Sequence, residues 1–362
     1  MKQEQPRVFE RLKRWFVGKV QTRSAARPVR GRVDHVVILD GTMSTLDPGD
    51  ETNAGLTYRL LCECAPAAHL SIMYEAGIQF ETWKHSWHVA TGVGINRQIR
   101  RAYGFLASRY RPGDRIFLLG YSRGAFAVRS LAGVIDMIGL LKPEHATERN
   151  VRDVYRHYEC SPDSAAAMRF AELYCHDEAP IEMVGVWDTV KALGLRWPMV
   201  WRLFEPRHRF HSTHLGASIR HGYHALAQDE TRDAFEPVLW TSDDDWSGRV
   251  EQVWFPGTHG DVGGQLGGFH AARPLANVSL VWMLGKLEGH GVGLPQGWRD
   301  RFPCDPNAPS TGTIRGWGKM FFYRRKRKIG LDPSERLFKA GRMRPSAQTQ
   351  PVPPPGTLSH GH

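Results

Sequence analysis

DRIFLLGYSRGAFAVRSL, residues 114–131, opens with Ile116 to Leu119, an apolar run short enough to be a buried strand. Gly120-Tyr121-Ser122-Arg123-Gly124 follows, and then Ala, Phe, Val and Leu recur at helical spacing. A strand, a tight glycine-bounded turn with serine at its centre and a helix form the setting in which G-x-S-x-G is a nucleophile elbow. Gly120 and Gly124 suit it because a Cβ at either would collide with neighbouring backbone where strand and helix approach. Ser122 is then left at the carboxyl end of the strand, beside helix N–H groups that favour developing negative charge. The plainer reading makes Ser122 only a helix cap. The fit of both flanks favours the nucleophile.

Outward from that stretch the chain alternates strands with helices. Val36 to Leu39 is a β-branched strand ending in Asp40-Gly41-Thr42, residues 53–62 read as a helix, and Leu70 to Tyr74 is a second strand. Ile95, Ile99, Tyr103, Leu106 and Tyr110 fit one helical face. Ile181 to Trp187 is a buried strand ending in Asp188, and Val250 to Phe255 delivers Pro256-Gly257-Thr258-His259-Gly260-Asp261. A helix over 276–287 comes next. This alternation implies an α/β fold, a mostly parallel sheet with helices on both faces. Residues 143–178 read as a polar helical insertion, a candidate cap, and the apolar stretch from Trp187 to Leu203 as either an acyl pocket or core.

Four strands thus end at one sheet edge in chemically able residues: Asp40, Ser122, Asp188 and His259. The order Ser122, Asp188, His259 is the nucleophile–acid–base order of α/β-hydrolases. His259 is the expected base for the Ser122 proton, and Asp188 the expected partner that orients the imidazole. Asp188 also reads as a helix cap, which leaves Asp229 or Asp261 as the acid. Oxyanion donors are expected from the N–H of Arg123 and from Gly41 or Thr42, with Asp40 organising that turn. No metal or other cofactor is expected. A rival chemistry joins Asp40, Asp188, His259 and Asp261 as ligands of a metal that cleaves phosphoesters, but it leaves the serine turn without a purpose. A second rival is a non-catalytic, basic surface-binding protein.

The net charge of +11 is concentrated in the ends: residues 1–34 hold ten Lys/Arg against three acids, and residues 324–328 read RRKRK. Such patches meet anionic lipid, nucleic acid or acidic partners, though most are solvated faces or tails. Specific nucleic-acid binding is not expected. Residues 7–20 place Phe9, Leu12 and Phe16 on one basic helical face, which reads as a helix on an anionic membrane or docked on the domain. No apolar run reaches the ~20 residues of a membrane span, and the charged opening residues do not read as a signal peptide. A cytoplasmic chain is therefore expected, with peripheral membrane association or non-classical secretion as variants. Five scattered cysteines read as reduced thiols. His208, His211, His214, His221 and His224 lie partly at i,i+3 spacing, and a surface or capping role is favoured over zinc. The expected layout is a basic helix and linker over 1–32, a catalytic domain over 33–300, a basic extension over 301–343 and a disordered tail over 344–362.

At this point the sequence resembles a family. VVILDGT (36–42), AYGFLASRYRPGDRIFLLGYSRGAFAVRSLAG (102–133), VGVWDTV (184–190), HALAQDETRDAFEPVLW (224–240) and VWFPGTHGDVGG (253–264) stand in family order. They are similar to the bacterial and fungal α/β-hydrolase domain family that includes the catalytic domain of type VI secretion phospholipase (Tle-type lipase) effectors. The resemblance implies an α/β-hydrolase fold, a Ser–Asp–His site and hydrolysis of lipid or phospholipid esters. It carries Ser122 and His259 over through their motifs, and Asp188 with them. Two departures stand out: Met43-Ser44 where the family usually has Trp-Asn, and Gln265 in place of a third glycine.

Overall fold

Strands with unbroken apolar runs need cover on both faces, and the middle of one sheet provides it. The computed structural model describes residues 20–24, 31–65, 69–77, 93–190, 215–242, 246–314 and 323–339. Its strands are β1 (Val20–Ser24), β2 (Asp34–Leu39), β3 (Leu70–Glu75), β4 (Arg115–Tyr121), β5 (Ile181–Trp187), β6 (His221–Ala227), β7 (Arg249–Phe255) and β8 (Glu335–Leu337). Among the described residues they form one sheet in the order β1-β3-β2-β4-β5-β6-β7-β8. Only β1 runs antiparallel to its neighbour; the other pairs are parallel. The carboxyl ends of the parallel strands therefore share one edge.

The helices are α1 (Asn53–Cys64), α2 (Val93–Ala107), α3 (Arg123–Ile138), α4 (Glu148–Cys160), α5 (Ala165–Tyr174), α6 (His259–Gly263) and α7 (Arg273–Gly289). Alternation along β2 and β4 sends Val37, Leu39, Ile116 and Leu118 into a core with α2 and α3. Val36, Ile38, Phe117 and Leu119 enter the opposite core with α1 and α7. Burying such a side chain contributes roughly 1.5–3 kcal/mol. The 143–178 segment forms α4 and α5, each opened by a side-chain cap, Thr147 and Ser164. Val154, Tyr155, Tyr158 and Ala167 pack into the α2–α3 core, so these two helices add to that layer.

Three strands depart from the sequence reading. His221 and His224 stand on β6, whose residues HGYHALA pair with β5 and β7. On a strand, residues three apart point to opposite faces, so these two histidines do not share one. The linker expected from Thr22 onward instead starts inside edge strand β1. The C-terminal extension supplies β8, paired with β7 through Gln252 and Glu335. Residues 7–19 of the expected 7–20 helix, His208, His211, His214, the apolar residues after Val190 and the 344–362 tail lie outside the described residues, while Val20 opens β1. Among the described residues no helix is long and apolar enough to cross a membrane.

Candidate active site

The turn after β4 is as tight as its glycines imply. A Cβ on Gly124 would stand 2.1 Å from the Leu39 carbonyl oxygen, and one on Gly120 would stand 2.8 Å from Ala125 Cα. Ser122 adopts φ 56° and ψ −119°, a region that costs a side-chain-bearing residue on the order of 1–3 kcal/mol. Asp188, at the end of the neighbouring strand, is likewise at φ 41°. Backbone bonds hold both: Ser122 N–H donates to Trp187 O at 3.0 Å and Asp188 N–H to Ala225 O at 2.7 Å.

His259 begins α6, and its loop is fixed by a capping box. Thr258 N–H and Oγ1–H both donate to Asp261 Oδ2, at 2.8 and 2.9 Å. Ser310 and Thr311 add two more donors to the same carboxylate. The His259 backbone N–H meets Glu230 Oε2 at 3.2 Å, and its ring lies between those of Tyr121 and Phe235.

These anchors bring three side chains into line. His259 Nε2 is 2.9 Å from Ser122 Oγ, and His259 Nδ1 is 2.6 Å from Asp188 Oδ2. All three residues are buried. With Asp188 ionised, Nδ1 carries the imidazole proton and Nε2 is left to accept from the serine hydroxyl. Asp229 and Asp261 are not part of this line. Asp229 accepts the Gly257 N–H at 2.6 Å, and Asp261 braces its own loop as described.

A fourth side chain, which the sequence did not disclose, joins this line. Arg327, within RRKRK, donates from Nη1 to Asp188 Oδ1 at 2.6 Å and from Nη2 to Oδ2 at 2.9 Å. It also donates to the carbonyls of Ala227 and Phe235, and its side chain is buried. Burial alone would push the Asp188 carboxyl up; Arg327 and His259 outweigh it and hold it well below the usual carboxylate range. Burial drives His259 below the usual histidine value, with Asp188 pulling the other way, so the imidazole is neutral near pH 7.

On the first loop, Asp40 is fully buried and accepts from Thr52 Oγ1, Tyr74 OH and Gly41 N at 2.6, 2.7 and 2.6 Å. Burial raises its carboxyl to about 6 against the pull of those donors. Gly41 N–H is therefore engaged, while among the described residues the N–H groups of Thr42 and Arg123 have no hydrogen-bond partner. The two departures from the family pattern support this loop. Gln265 Nε2 donates to Thr42 O at 2.8 Å, and Ser44 Oγ accepts the Gly77 N–H at 3.1 Å. Gly77 is a further residue the sequence did not disclose: a Cβ there would stand 1.9 Å from Gly41 O.

Asp40 is thus engaged by Gly41, Thr52 and Tyr74, and Asp261 by Thr258, Ser310 and Thr311, and they do not converge with Asp188 and His259 as metal ligands. Among the described residues the His/Asp/Glu grouping with metal-like spacing is Glu182, His221 and His290. It involves the amino ends of β5 and β6, away from Ser122.

A family model for the catalytic domain of the type VI secretion Tle1-like phospholipase effectors matches residues 34–286. A Saccharomyces cerevisiae protein, the uncharacterized YEL023C, is 28% identical over 232 residues, covering 57% of this chain and 32% of its own. The chain thus spans about a third of the length of that curated relative. Among solved structures, Thermogutta terrifontis esterase 2 aligns at 12% identity and TM-score 0.39, over 76% of this chain and 91% of its own. An uncharacterized Pseudomonas aeruginosa protein aligns at 16% identity and TM-score 0.39, over 76% and 49%. The Tle1 effector bound to the VgrG spike aligns at 16% identity and TM-score 0.28, over 66% and 52%. With the family model spanning most of the chain, the protein belongs to the Tle1-like phospholipase effector catalytic-domain family.

Proposed function

We propose that the protein is a serine hydrolase that cleaves carboxylic esters of lipids or phospholipids. The observation that carries this is the hydrogen-bonded line Ser122 Oγ, His259 Nε2, His259 Nδ1, Asp188 Oδ2 at the carboxyl edge of the sheet. His259 takes the hydroxyl proton as Ser122 Oγ attacks the ester carbonyl, and Asp188 stabilises the resulting imidazolium. His259 returns the proton to the leaving alcohol, and water attacks the acyl-enzyme by the same route in reverse. Thr42 and Arg123 N–H groups supply the oxyanion donors; each such donor typically accounts for ~3 kcal/mol of barrier lowering. The ester class follows from the family, whose model is that of a phospholipase effector domain.

The catalytic unit extends past residue 300 on this reading, because Ser310, Thr311 and Arg327 brace the residues that bear Asp261 and Asp188. The metal-dependent phosphoesterase is less well supported, since two of its four ligands are engaged elsewhere. A surface-binding protein has no use for a serine held at φ 56° against a neutral imidazole. The test is turnover of long- and short-chain acyl esters by wild type and Ser122→Ala. Turnover that disappears in the variant supports a serine hydrolase; equal turnover in both rejects it.

A further inference from the structure

The segment that carries Arg327 runs along one rim of the candidate site. Arg325 N–H donates to Thr231 O at 2.7 Å and Asp233 N–H to Tyr323 O at 3.0 Å, which holds it against the loop after β6. Phe235 of that loop lies against the His259 ring. Arg327 turns inward to Asp188, while its chain neighbours Lys326 and Lys328 lie on the outside. Both are exposed, and among the described residues neither meets an acidic partner. Residues 323–339 hold seven Lys/Arg against two acids.

The same segment is also apolar. Of the eight large hydrophobic side chains exposed among the described residues, four lie in it, Tyr323, Ile329, Leu331 and Leu337, with Ile314 just before. Tyr323 is 70% exposed and Leu331 67%. Met43, next to Thr42 on the first loop, is another. Basic and apolar side chains interleaved on one short stretch are what an anionic lipid surface rewards. Lysines meet the headgroups while aliphatic and aromatic groups enter the boundary layer. Nucleic acid would match the charge and leave Ile329 and Leu331 in water without use.

We propose that residues 323–339 are the surface by which the protein docks on an anionic lipid interface, with Lys326, Lys328 and Leu331 as its principal contacts. The inference deepens the lipid-ester reading above, because Arg327 ties the docking stretch to Asp188 and so brings the site to the interface. Partitioning, however, does not depend on ester chemistry, so it is measured by itself. Full-length protein is sedimented with phosphatidylcholine vesicles, with and without phosphatidylglycerol. The comparison includes the Ser122→Ala variant and the triple variant Lys326→Glu, Lys328→Glu, Leu331→Ser. Wild type and Ser122→Ala are expected to bind the anionic vesicles equally, more weakly at high salt, and the triple variant at least about tenfold less. Its thermal melting and its hydrolysis of a soluble short-chain ester are expected to match wild type. The proposal is overturned if the triple variant binds as wild type does, or if binding ignores lipid charge. It is also overturned if the substitutions abolish binding to an oligonucleotide or acidic peptide while vesicles are never bound.

Discussion

Arg327 grips Asp188 end-on: Nη1 lies 2.6 Å from Oδ1 and Nη2 2.9 Å from Oδ2, with both side chains buried. Its fork leaves Oδ2 shared between Arg327 and His259. Breaking a buried pair from one side costs about 3–5 kcal/mol, because the other charge stays behind uncompensated. Arg327→Ala is therefore expected to lower stability by an amount of that order in denaturant unfolding. It also removes a positive charge near His259, which favours the imidazolium, so the acid limb of kcat/KM moves to higher pH. Arg327→Lys recovers part of the stability but not the two-pronged contact. An unshifted pH profile in Arg327→Ala would mean that the pair is structural only.

Asp188→Asn keeps the shape of the site and removes the charge that faces His259 Nδ1. A fall in kcat of about 10³–10⁴ is expected, by analogy with the loss of a buried triad carboxylate. Asp229→Asn and Asp261→Asn act on loops and are expected to cost far less, roughly tenfold or under, provided the loops hold. Steady-state kinetics on a soluble ester separates the three. Near-normal turnover in Asp188→Asn would reassign the acid.

The depressed pKa of His259 sets the direction of the pH–rate profile. The base is competent while neutral, so kcat/KM is expected to stay level through pH 7 and to fall only in acid, with its midpoint below 6.5. Stability has its own acid limb from His224. That imidazole is buried, accepts the Thr189 N–H at 3.1 Å and is lowered to about 3, chiefly by burial and then by Arg129. The unfolded chain takes up this proton at higher pH than the fold does. Stability from this group is therefore lost as pH falls from about 6.5 towards 3, as urea unfolding at several pH values will show.

Gly124 permits the approach of α3 to β2. Gly124→Ala puts a methyl group onto the Leu39 carbonyl, which is backbone and cannot swing away. A loss on the order of 3 kcal/mol or more is expected, with activity falling alongside it, measured by thermal melting and ester turnover.

What the sequence disclosed follows its physical contrasts. β4 and β5 are short apolar runs ending in Ser122 and Asp188, and the glycines of the turn announce a close approach that the Leu39 and Ala125 distances bear out. β6 was hidden because HGYHALA mixes a glycine and two histidines at helix-like spacing into its apolar run. β1 and β8, read as VQTRS and ERL, are edge strands too polar or too short to show a period. Arg327 was illegible for a different reason. Within RRKRK it differs in nothing from its neighbours, and only the packing against Ala227, Phe235 and Asp188 singles it out. Gln265 was visible as a departure, while its bond to Thr42 needed the folded loop.

The most direct measurement is covalent labelling of purified protein with a fluorophosphonate probe, wild type beside Ser122→Ala and His259→Ala. Labelling of wild type alone is the expected result, because it needs a serine activated by its histidine. A folded wild type that stays unlabelled, or a Ser122→Ala protein that labels as strongly as wild type, would contradict the assignment of Ser122 as the nucleophile.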